Sequence, residues 1–193
     1  MHSALHRLKS FKWCVLILVA GMSLPGCMTN IRRTPQGGAR PRRGHFCLKK
    51  DNAQQPNTGQ IDTEAVYVCR SVNDFPNIEG DFFYNFYRFF GSGQVYLSPS
   101  TNHFPTNAEI NNLGEGFIGY YQTKGENIMM ELFIPISTGH FKVMAGTIEE
   151  GKIVVGQDVH GCKWTSRRSP RRYRVVAYKV KEPWMEFWAE PDW

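Results

Sequence analysis

The sequence predicts an all-β protein, an antiparallel up-and-down barrel of about eight strands, on three observations. Short runs of β-branched and aromatic residues recur through residues 61–181. Gly-bearing turns separate them at near-regular spacing, and no helix-period pattern longer than two turns interrupts them. The chain has 193 residues, enough for one domain with a sizeable core. With 41% hydrophobic and 13% aromatic residues it is too apolar to stay solvated as a disordered or collagen-like chain.

The formal charge of +6 is unevenly placed. Residues 1–50 hold ten Lys/Arg and no Asp/Glu, whereas residues 51–193 hold thirteen basic against seventeen acidic residues, a balance of −4. The basicity therefore belongs to the N-terminal region, which argues against a nucleic-acid-binding domain. Arg7, Lys9 and Lys12 precede the apolar run Trp13–Ala20, which closes on Leu24-Pro25-Gly26-Cys27. A positive segment, a short apolar run and small residues at its end are the parts of a secretory signal peptide, expected over residues 1–26. The run is shorter than the roughly 20 residues that a spanning helix needs.

Leu24-Pro25-Gly26-Cys27 resembles the lipobox of bacterial lipoproteins, which implies lipidation at Cys27 after cleavage. Met28 in the following position resembles the outer-membrane pattern, so the expected location is the cell envelope, anchored in the outer membrane by lipid (palmitate among the acyl chains). Residues 27–60 are expected to be a flexible basic tether: Arg32, Arg33, Arg40, Arg42 and Arg43 are interspersed with Pro and Gly, and residues 51–59 are polar throughout.

The barrel domain is expected over residues 61–193. Candidate strands are 65–69, 82–90, 94–98, 117–121, 127–134, 141–148, 152–155 and 173–180, with Gly91-Ser92-Gly93 and Glu149-Glu150-Gly151 as hairpin turns. Pro183 with Trp184, Phe187 and Trp188 at i, i+3 and i+4 predicts a short helical or aromatic tail pressed onto the barrel. The run Arg167–Arg174 reads as a solvated loop before the last strand.

The stretches Tyr87–Val95, Gly119-Tyr120-Tyr121 and Gly146–Ile153 resemble small bacterial lipocalin-like (calycin) lipoproteins over residues 61–181. The resemblance implies a meander barrel with a cavity. A small apolar or aromatic ligand is the partner expected there, and Tyr87, Phe89, Tyr96, Tyr121 and Phe133 are the aromatics expected to face it. The competing expectation is a filled barrel that serves as a structural or interaction module.

Cys14 leaves with the signal peptide and Cys27 is assigned to lipid, so Cys47, Cys69 and Cys162 are the disulfide candidates. Cys162 is expected to pair with Cys47 or with Cys69. The pairs His45-Phe46-Cys47 and His160-Gly161-Cys162 lack the usual spacing of structural zinc ligands, so no metal is expected. No nucleophile elbow, zinc-protease motif, phosphate loop or dinucleotide fingerprint is present, and neither catalysis nor a cofactor is expected. The polar stretch Ser98–Gly116 is longer than most connections and is expected near a barrel mouth.

Overall fold

The computed structural model describes residues 31–35, 38–42, 46–52, 60–72, 82–136 and 139–193. Eight strands close into one antiparallel barrel: β3 (Val66–Val72), β4 (Phe82–Phe89), β5 (Gln94–Leu97), β6 (Phe117–Lys124), β7 (Asn127–Ile134), β8 (His140–Glu149), β9 (Lys152–His160) and β10 (Arg167–Val180). They follow one another around the wall in chain order, and β10 pairs with β3 to close it. Consecutive neighbours need only hairpins, and Gly125 and Gly151 supply the positive φ that two of these turns require, at 53° and 69°. The expected barrel is present.

Two expectations change in the described segments. Part of the region expected as a tether is folded: β1 (Ile31–Arg33) pairs with β2 (Ala39–Pro41), and α1 (Cys47–Asn52) follows. Phe46 and Leu48 are buried against the wall, and their apolar side chains supply the burial that the basic composition around them conceals. The Arg167–Arg174 run is strand rather than loop, with Arg167 opposite His160 and Arg168 opposite Val159. The β9–β10 hairpin has an exposed outer side, so polar residues pair there without a core to satisfy. The signal segment and Cys27 lie outside the described residues, as does His45.

Alternation splits the apolar residues into two layers. Tyr67, Phe89, Val95, Tyr121, Ile128, Met130, Leu132, Ile153, Val155 and Ala177 point inward and pack on one another. Val66, Val68, Phe86, Phe90, Tyr96, Ile118, Tyr120, Met129 and Phe133 point outward, and there Phe46, Leu48 and Ile110 cover them together with Met185, Phe187 and Trp193. The outer layer is as dry as the inner one because the chain folds back over it. α2 (Asn107–Asn111) lies within the Ser98–Gly116 connection and starts with a capping box, in which Thr106 and Glu109 satisfy each other's backbone N–H groups.

The tail after β10 is irregular, with one turn at Pro183-Trp184, instead of helical. Barrel and loop side chains take the places of helix partners: Asn107 Nδ2 donates to Trp184 O (2.6 Å), Asn111 Nδ2 to Glu186 O (2.7 Å) and Arg88 to Ala189 O (2.8 Å). Trp188 N and Ala189 N both donate to Asn111 Oδ1 at 3.0 Å. With backbone groups already partnered, a helix gains nothing. Phe187 packs on the outer layer, but Trp184 and Trp188 are exposed, so only one of the three aromatics does what the helical spacing predicts.

Candidate functional site

Burial changes along the barrel axis, and the change locates the site. In the middle, Phe89, Val95, Tyr121, Ile128 and Met130 are 0% exposed. A side chain with no accessible area borders no void that holds a water, open or closed, so this part of the interior is filled. Phe89 anchors the plug: its ring centroid lies 4.8 Å from Tyr121 edge-on, 5.3 Å from Tyr67 edge-on, and 6.1 Å from Tyr87. Tyr121 Oη donates to Phe90 O at 3.1 Å, which satisfies the buried hydroxyl.

Above the plug, toward the end from which β4, β6, β8 and β10 start, exposure returns. Cys69, Tyr87 and Met144 are 5–7% exposed, and Val175 reaches 36% although its register opposite Val155 turns it inward. Lys142, opposite Leu132, and Asp158, opposite Met144, stand on the same inward rows. The result is a vestibule with an apolar floor of Tyr87, Met144 and Cys69. One wall carries a polar triad: Tyr173 Oη donates to Asp158 Oδ1 at 2.7 Å, and Lys142 Nζ sits 3.1 Å from that carboxylate. Lys142 Nζ also lies over the Tyr173 ring, 5.2 Å from its centroid. Burial and the neighbouring Asp158 push the Tyr173 phenol above its ordinary range, so it remains a proton donor. Burial also holds the Tyr87 phenol neutral and pushes the Cys69 thiol up to about 12, leaving that sulfur a weak nucleophile.

Of the five aromatics expected to face a cavity, Tyr87, Phe89 and Tyr121 point inward, and of these Tyr87 borders the vestibule while the other two form the plug. Tyr96 and Phe133 point outward. Tyr96 neighbours inward-facing Val95, and adjacent strand residues face opposite ways. Its hydroxyl donates to Asn112 O (2.8 Å) and accepts from Gly116 N (3.0 Å), which pins the long connection onto the outer face. Phe133 packs against Phe141 at 5.4 Å. Lys142, Asp158, Tyr173 and Val175 escaped the sequence reading. The β8–β9 register shifts after Ala145, opposite Gly156, so Val155 and Asp158 both face inward despite their odd spacing.

Two other concavities are less suited to a ligand. A space of about 60 Å³ beneath the Ser98–Gly116 connection, between Phe86, Tyr96 and Pro105, is far below the roughly 300 Å³ of ordinary ligand pockets. An open groove of about 700 Å³ at the opposite end is polar. Several of its charges are already paired, as Lys152 with Glu149 (2.8 Å) and Lys179 with Asp62 (3.9 Å).

Cys47 and Cys162 form a disulfide, with Cα atoms 5.9 Å apart, and Cys69 is a free buried thiol. The bond ties α1 to the β9–β10 connection. Buried Glu131 lies beside it, accepting from Leu48 N at 2.9 Å with its second oxygen 3.3 Å from the Cys47 sulfur. Burial raises the pKa of this carboxyl against the opposing pull of its backbone donors. The three side chains sit close enough to hold a metal ion, but a disulfide leaves no thiolate to give.

No family model matches the chain, and no curated protein and no solved structure matches it either.

Proposed function

We propose that this chain is an exported, non-catalytic envelope lipoprotein, anchored in the outer membrane through Cys27. In this reading its lipocalin-like barrel holds a small apolar or aromatic ligand in the vestibule. The observation that carries the ligand reading is the step in exposure from 0% at Phe89 and Tyr121 to 36% at Val175 within one inward-facing layer. The filled middle separates the two ends, so a ligand at this end sits on Tyr87 and Met144 and does not thread the barrel. Lys142 and Tyr173 are the polar groups that orient it, through a cation and a phenol oxygen that accepts while its proton is held by Asp158. Disulfide pairing of Cys47 with Cys162 agrees with an oxidising compartment and therefore with export.

Native mass spectrometry of the chain purified from bacterial envelopes tests the reading. The expected result is a co-purifying small molecule, one per chain, that a Val175→Trp variant loses. A chain without adduct, whose mass includes acyl chains, would instead favour the second reading. That second reading is an envelope interaction module on a filled barrel, and the fully packed middle of the interior is the observation that favours it.

A further inference from the structure

The charges at the mouth of the vestibule narrow the chemistry of what it holds. There β10 pairs with β9, with Arg167 opposite His160 and Arg168 opposite Val159. Val159 is buried in the outer layer, so Arg168 turns outward while Arg167 and His160 turn to the inner side. Val143 on β8 also stands opposite Val159, which sets Lys142 level with His160. Lys142, His160 and Arg167 thus form one inward row across β8, β9 and β10, one row nearer the mouth than Asp158. Lys142 and Arg167 are two strand spacings apart, about 10 Å at the backbone, a gap that two long side chains close from both sides.

The charge of Asp158 is already met, by Lys142 Nζ at 3.1 Å and by the Tyr173 hydroxyl at 2.7 Å. Arg167 is exposed, and among the described residues no carboxylate pairs with it. Lys163 and Arg168 are exposed on the same hairpin, and the chain has no acidic residue between Asp158 and Glu182. The groove at the other end of the barrel has the opposite balance: five acids, Asp62, Glu126 and Glu150 among them, line it with Lys152 and Lys179. A field running from an acidic end to a basic mouth draws anions to the vestibule.

We infer that the ligand of the vestibule is an amphipathic acid. Its apolar or aromatic body rests on Tyr87 and Met144, and its anionic group meets Arg167 and Lys142 at the mouth. The planar Arg167 fork donates two parallel bonds to carboxylate, sulfonate or phosphate oxygens. The Lys142 ammonium has three donors, enough for Asp158 and the ligand together. A neutral ligand would leave the Arg167 charge unanswered, and a cationic one would find Asp158 taken. This rests on the ligand reading of the vestibule, and the experiment separates the two.

Fluorescence titrations of the folded chain compare 1-anilinonaphthalene-8-sulfonate with N-phenyl-1-naphthylamine, the same aromatic body without the sulfonate. The sulfonate is expected to bind at least about tenfold more tightly. Arg167→Gln should remove most of that preference by weakening the sulfonate alone, whereas Arg168→Gln, on the outward side of the same hairpin, should change neither dye. Equal or tighter binding of the uncharged dye would overturn the acid inference while leaving the ligand site in place. So would a preference that Arg167→Gln leaves intact or that Arg168→Gln lowers as much. Binding of neither dye would overturn the ligand reading, and this inference with it.

Discussion

Tyr96 and Tyr121 stand on adjoining strands of one wall, both almost without exposure, and they belong to different cores. Tyr121 faces inward, meets Phe89 edge-on and bonds Phe90 O. Tyr96 faces outward, and its hydroxyl holds the Ser98–Gly116 connection against the barrel. The inner layer is built by the strands together with Ile61, which precedes β3. The outer layer exists because the hairpin, α1, α2 and the tail cover the wall. Burial by itself therefore does not reveal which side of a barrel a residue lines. Register does, and here it separates a filled inner layer from an outer one covered by the segments that fold back over it.

The largest effect expected from breaking this arrangement is in the plug. Phe89→Ala removes a ring from a filled interior and should lower unfolding free energy by about 3–5 kcal/mol in urea titrations. A much smaller loss would mean that the middle of the barrel is loosely packed. Next comes the outer layer's covalent pin. The double variant Cys47→Ser/Cys162→Ser opens a link spanning 115 residues and should cost about 2–4 kcal/mol. Far-UV circular dichroism should retain the barrel's strand signal in that variant, since no strand pairing depends on the bond.

Arg88 compares the layers differently. It is buried outside the barrel, donates to Ile110 O, Asn111 Oδ1 and Ala189 O, and lies between the Phe90 and Phe187 rings. Burial lowers its pKa to about 10 although Glu190 acts in the opposite direction. Arg88→Met keeps much of the volume but takes this donor from Ile110 O and Ala189 O, while Asn111 Oδ1 keeps Trp188 N and Ala189 N, for a loss of roughly 2 kcal/mol. Hydrogen exchange should show the tail released first, because its backbone loses the partner at Ala189.

Glu131 supplies a pH signature of the sealed outer layer. Its carboxyl titrates above the ordinary value of 4.5 because burial disfavours the anion. The folded state therefore binds more protons than the unfolded state above that pH. The stability it contributes is present below about pH 4.5 and is lost as pH rises through the raised folded value. Stability curves of Glu131→Gln, measured between pH 4 and 8, should lack this decline. An unchanged slope would show that the carboxyl is solvated.

The smallest stability effect is expected at the vestibule. Lys142→Met and Tyr173→Phe should each stay within about 0.5 kcal/mol, because both side chains are partly exposed and their ion pair is wet.

Much of the wall was legible in the sequence because strand composition and Gly turns are local signals. The eight strands lie where runs such as Asn127–Ile134 predict them, but β3 and β6 run three residues further than expected and β9 and β10 differ more, by five and six residues. The facing of the aromatics was not legible. β4 reads Phe-Phe-Tyr-Asn-Phe-Tyr-Arg-Phe, apolar on both sides, so alternation carries no contrast where both faces are covered. The folded N-terminal segment was hidden for another reason. Phe46 and Leu48 bury their side chains beside basic and polar neighbours, and only the distant wall makes that burial possible. Tertiary partners likewise overrode the helical spacing of Trp184, Phe187 and Trp188, since Asn107 and Asn111 hold the tail's backbone.

A fluorescence titration with 1-anilinonaphthalene-8-sulfonate, an aromatic anion, probes the vestibule directly. A ligand site at this end of the barrel should give saturable binding of one dye per folded chain. Lys142→Met should weaken it about tenfold and Val175→Trp should abolish it, with thermal stability unchanged in both variants. Absent binding, or binding that neither substitution alters, would contradict a ligand site at this end of the barrel.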